Sequence, residues 1–125
     1  MKVTLYSAII AAAVALVPNV QAKEDVCTKL SETVKRLVNA ESDNVLKIVE
    51  QQTAANPGCS CEVVKAAILA TEADRKLVGQ IVATAVEAAP DKMRVITSCA
   101  VAVAPDALPE IKAVLAKLAP KALAK

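Results

Sequence analysis

Apolar residues in this chain return at intervals of three and four, and no useful stretch alternates with period two. That spacing places them on one face of successive helices. Val26, Leu30, Val34, Leu37 and Val38 mark a first helix over Asp25 to Ala40. Ser42 or Asp43 then offers a cap for a second, which carries Val45, Ile48, Val49 and Thr53 and is stopped by Asn56-Pro57-Gly58. Ser60 is placed to cap a third, with Val63, Val64, Ala67 and Ile68 inward. Thr71-Glu72-Ala73-Asp74 reads as a capping box opening a fourth, which runs through Leu77, Val78, Ile81, Val82 and Ala85. Met93, Ile96, Cys99, Ala100 and Val103 share a face in a fifth helix, and Ile111, Val114, Leu115 and Leu118 do so in a sixth. The fold class predicted is all-α: about six short helices in an antiparallel or stacked bundle.

A coarser rhythm overlies the helices. Ala89-Pro90-Asp91, Ala104-Pro105-Asp106 and Ala119-Pro120-Lys121 recur every fifteen positions. Steric clash with a following proline drives the preceding residue out of helical geometry, so one helix stops there. Proline suits the first position of the next helix, and an acid just after it meets the positive end of the new dipole. Fifteen residues then make one short helix plus one corner, the pattern of helices stacked in sequence. Pro109 is expected to delay the sixth helix by a turn. The segment Ala85-Val86-Glu87-Ala88-Ala89-Pro90-Asp91 resembles units of the form Ala-Val-x-Ala-Ala-Pro-Asp-x in exported, alanine-rich bacterial proteins, over roughly positions 83–118. The resemblance implies a helical architecture and a bacterial envelope setting, and implies no activity.

The N-terminus has the parts of a secretory signal. Lys2 is followed by an apolar run from Val3 to Val17, then Pro18 and the small-residue pattern Val20-Gln21-Ala22. The run falls short of the about 20 apolar residues that a membrane span needs. A signal peptide of residues 1–22 and a single mature domain of 23–125 are expected, with the mature protein periplasmic or secreted. Cleavage would remove Lys2, leaving 14 of the 15 basic residues against 13 acidic ones, a net charge of +1. It would also remove Tyr6, the one aromatic residue in a chain without histidine. A core of Ala, Val, Leu and Ile in so small a domain is marginal without bracing.

The bracing is expected from Cys27, Cys59, Cys61 and Cys99, an even set in an exported chain. A four-thiolate metal site is the competing reading, but Cys27 and Cys99 are solitary and Cys59-Ser60-Cys61 is tighter than the usual zinc spacing. A redox-active Cys59–Cys61 pair is the other. If the first two helices form an antiparallel hairpin, Cys27 at its open end lies near Asn56-Pro57-Gly58. That geometry points to Cys27–Cys59 with Cys61–Cys99, and leaves the swapped pairing open.

Other chemistry is sparse. Without histidine the Ser-His and Cys-His arrangements are impossible, and no serine has a lysine three residues on. Glu72 with Asp74, and Asp106 with Glu110, are acid pairs placed where helix starts want them. Two glycines, Gly58 and Gly79, make no phosphate-cradling loop. No catalytic residue, metal ligand or cofactor is assigned. Arg94, between Met93 and Val95, reads as an arginine on the wet edge of its helix, or as an anchor for an anion. The basic amphipathic segment from Ile111 to Lys125 reads as docked on the core, with contact to a membrane as the alternative. Charges of both signs are interspersed, which argues against nucleic acid as a partner. Two functions survive: a non-enzymatic structural or protein-interaction domain with an unidentified protein partner, and a small helical carrier of an apolar ligand such as a lipid.

Overall fold

The computed structural model describes the backbone of residues 18–123 and the side chains of residues 25–118. The apolar run of the expected signal peptide lies outside the described residues. Six α-helices follow one another among the described residues: α1 Pro18–Ala40, α2 Val45–Ala55, α3 Ser60–Thr71, α4 Arg75–Ala88, α5 Met93–Val103 and α6 Leu108–Leu123. No strand occurs among the described residues. The expected cleavage point after Ala22 falls inside α1, which begins earlier than the predicted Asp25.

Four of the five junctions are one repeated device. Glu41, Asn56, Ala89 and Ala104 all hold φ between −143° and −137° with ψ between 64° and 75°. Each donates its N–H to the helix behind it, as Asn56 does to the Gln52 carbonyl at 3.0 Å and Ala104 to that of Ala100 at 2.8 Å. Each then accepts at its own carbonyl from the end of a three-residue 3₁₀ turn that leads into the next helix, as Asn56 does from Cys59 at 2.9 Å. One residue thus closes one helix and opens the next. Three of these corners precede a proline, which excludes helical geometry there. Glu41 adopts the same conformation without one. Glu41 and Asn56 are fifteen positions apart, as are Ala89 and Ala104. The period therefore starts well before the proline motif that advertises it.

The fifth junction differs. Glu72 takes the left-handed conformation (φ 48°, ψ 48°), and the N–H groups of Glu72 and Ala73 reach back to the carbonyls of Leu69 and Ile68. This is a Schellman ending. Asp74 then caps α4, its carboxylate accepting from the Leu77 N–H at 2.8 Å.

Several expected details are corrected by these junctions. Thr71 belongs to the last turn of α3 and donates its hydroxyl to the Ala67 carbonyl, so Asp74 alone caps α4. Ser60 is the first residue of α3 and donates to the Pro57 carbonyl at 2.6 Å, and Cys59 occupies the cap position. Ser42 and Asp43 lie in a 3₁₀ turn, and the cap position of α2 is Asn44, whose side chain makes no capping bond. Pro109 delays nothing: α6 starts at Leu108, and in the first turn of a helix the missing N–H has no partner to lose. Pro120 makes no corner, since α6 runs through it to Leu123. The two proline corners of the second half are followed by aspartate, Pro120 by Lys121.

The principal contacts join alternate helices, α1 to α3 to α5 and α2 to α4 to α6, while sequential neighbours touch less. The molecule is thus two rows of helices laid against each other. The core between them holds fully buried Val34, Val38, Val49, Val63, Val64, Val78, Ile81, Val82, Ile96 and Ile111, with alanines such as Ala67, Ala85 and Ala100 where backbones approach closely. Gly79 of α4 lies close against α6: a Cβ there would lie 3.4 Å from that of Glu110.

Candidate functional site

The cysteines form one continuous spine. Cys27 of α1 is bonded to Cys59 at the start of α3, and Cys61 of α3 to Cys99 of α5. No free cysteine remains. Both bridges lie in the α1–α3–α5 row, and the α2–α4–α6 row has none. The pairing is the one the hairpin geometry favoured, but it arises differently: α3 stacks directly on α1, more closely than α2 does. Cys27 Sγ accordingly sits 3.9 Å from the Gly58 carbonyl oxygen. Cys59 and Cys61 are not bonded to each other, so the Cys59–Cys61 redox pair does not form. Disulfides of this kind belong to an oxidising compartment outside the cytoplasm.

The two bridges have different surroundings. Cys27 and Cys59 are 7% and 6% exposed, whereas Cys61 and Cys99 are both partly open to solvent. The carboxylate of Glu62 lies within 4.8 Å of both sulfurs of the buried bridge. That trio has the donors of a metal site, but each sulfur is committed to the other. Sequence reasoning missed Glu62. The available signal was its position three residues after Cys59, which puts the two on one face of α3.

Two of the open grooves among the described residues flank the rows. One, of about 410 Å³, lies between α2 and α4 and is lined by Glu50, Ala54, Thr84, Glu87 and Ala88. The other, of about 450 Å³, lies between α5 and α6, where Met93, Arg94, Thr97 and Leu115 meet. Arg94 is exposed on its rim, as an arginine on a wet helix edge should be. The candidate acids serve structural positions. Asp74 is a cap, Glu72 ends α3, and Glu110 turns toward α4 with a buried, unpartnered Oε1. Ile111 is buried, and Val114, Leu115 and Leu118 pack on the core, so the described part of α6 is docked. No helix among the described residues is long and apolar enough to cross a membrane.

Among the described residues, four of the five large aliphatic side chains left exposed stand on the bridged row: Val26 and Leu37 on α1, Leu69 on α3 and Val95 on α5. By architecture the chain is a small two-row helical stack with a covalent spine along one row. No protein-family model, curated protein or solved structure matches it.

Proposed function

We propose that the chain is an exported, non-catalytic interaction module of the bacterial envelope, and that it meets a protein partner through the α1–α3–α5 row. The observation carrying this reading is the coincidence of spine and exposed aliphatics. Leu69 and Val95 are 54% and 48% exposed on the two helices that Cys61–Cys99 ties together. A row of helices held at fixed spacing loses little freedom on binding, and preorganisation of that kind raises affinity by lowering its ordering cost. Stacked helices offer such extended faces generally. The signal-like N-terminus supports export, and the absence of histidine supports a role without acid–base catalysis.

A photo-crosslinking residue placed at Leu69 or Val95, and for comparison at Lys47 of the unbridged row, tests the reading in the exporting cell. One discrete adduct from the first two positions and none from the third is expected. Equal labelling from all three, or none from Leu69 and Val95, would count against it. The carrier reading has its own site in the α5–α6 groove, where Met93 and Leu115 stand beside Arg94. Organic extraction of the purified protein should yield a stoichiometric lipid if that reading holds.

A further inference from the structure

The two disulfides differ in access and in electrostatic guard. A thiolate must approach a sulfur to open a bridge, and approach is hindered both by burial and by negative charge. Cys27–Cys59 has both obstacles, being buried and within 4.8 Å of the Glu62 carboxylate at each sulfur. Cys61–Cys99 is not buried, and no carboxylate among the described residues lies within 4.8 Å of both its sulfurs. Cys59 and Cys61 both lie in the opening of α3, where the helix dipole favours a thiolate as leaving group, so access and charge decide between the bridges. Opening this bridge need not unpack the fold, because Ile96 and Ala100 keep α5 seated through the core.

We propose that Cys61–Cys99 is a reversible thiol–disulfide exchange site serving a dithiol reductant, while Cys27–Cys59, guarded by Glu62, is the permanent brace. A thiolate of the dithiol attacks Cys99 Sγ, the Cys61–Cys99 bond breaks, and Cys61 leaves as a thiolate that takes up a proton. The second thiol of the reductant then attacks the mixed disulfide and releases Cys99. The protein gains two electrons and two protons, and the dithiol becomes a disulfide. The site is independent of whether a protein docks on Leu69 and Val95.

The test uses the purified oxidised chain, dithiothreitol in a time course, acid quenching, alkylation and peptide mapping by mass spectrometry. Cys61 and Cys99 should become alkylated at least about tenfold faster than Cys27 and Cys59, with the helical circular dichroism retained at that stage. The Glu62→Gln variant should open Cys27–Cys59 several-fold faster and change the rate at Cys61–Cys99 by a clearly smaller factor. Equal rates for the two bridges, the reverse order, or loss of helicity in step with the first opening would overturn the proposal. So would a Glu62→Gln variant, natively folded by its melting curve, whose buried bridge opens no faster.

Discussion

Thr53 and Glu72 each hold a conformation or environment that costs the protein stability. Thr53 of α2 is fully buried and its hydroxyl has no hydrogen-bond partner, whereas Thr33 and Thr71 each donate to the carbonyl four residues back. Valine has nearly the shape of threonine without the hydroxyl, so Thr53→Val should stabilise the fold by about 1 kcal/mol. Glu72 is the one non-glycine residue at positive φ among those described. Glycine is the usual occupant of such a helix ending, and Glu72→Gly should add about 0.5–1 kcal/mol after allowing for its freer unfolded chain. Both gains would appear as higher urea midpoints at unchanged slope, and a fall in either midpoint would contradict the corresponding assignment. The sequence made Thr53 an inward residue by its spacing, but spacing cannot reveal an unmet hydroxyl. Asp74 was legible as an acid serving a helix start, but as the closing acid of a box capped by Thr71 rather than as the cap itself. Thr71 and Ser60 misled because their hydroxyls serve equally well inside a helix, bonded to a carbonyl a turn earlier.

Between helices, what decides the fold is a corner that any residue can make. Its proline versions at Pro90 and Pro105 stand out in the sequence, and they suggested stacking. The same corner at Glu41 was invisible because nothing in its chemistry forces the conformation; the stacked neighbours do. Pro120 shows the converse, that a proline does not by itself turn the chain. The separation of the helices into two rows was not legible, since periodicity gives an inward face without naming its neighbour. Gly79 marks where the rule for α4 against α6 can be tested. A Cβ there would make ordinary contact with Val114 at 3.6 Å and a tight one with Glu110 at 3.4 Å. Gly79→Ala should therefore fit, and it should raise stability by up to about 1 kcal/mol through helix propensity. Gly79→Leu should instead lower it by about 1–3 kcal/mol, because the Glu110 backbone cannot withdraw from a larger side chain. Thermal unfolding of both variants checks the pair. A melting temperature raised by leucine would mean that α6 is not held close to α4.

For the whole molecule the question is how much of its stability is covalent. A 125-residue chain with no aromatic residue in its described core relies on small aliphatics, and many of its helix junctions lack side-chain caps. The bridges span 32 and 38 residues, and their loops follow one another along the chain without overlapping. In the chain-entropy account each therefore restricts the unfolded state independently, by about 3.5–4 kcal/mol. Together they amount to about 7–8 kcal/mol, comparable with the whole stability of an ordinary small domain at about 5–15 kcal/mol. The expected outcome is graded. Replacing both cysteines of either bridge with alanine should leave a folded protein with a clearly lowered urea midpoint. The four-alanine chain, or the fully reduced native one, should be largely unfolded at 25 °C. Removing Cys27–Cys59 should also loosen α1 more than α5, since it is the covalent tie of α1 to the row. Amide exchange would show this as lost protection over Val34 and Val38 with Ile96 still protected. Helical circular dichroism and a cooperative melt surviving in the four-alanine chain would show instead that packing between the two rows is sufficient, and that the spine serves only its chemistry.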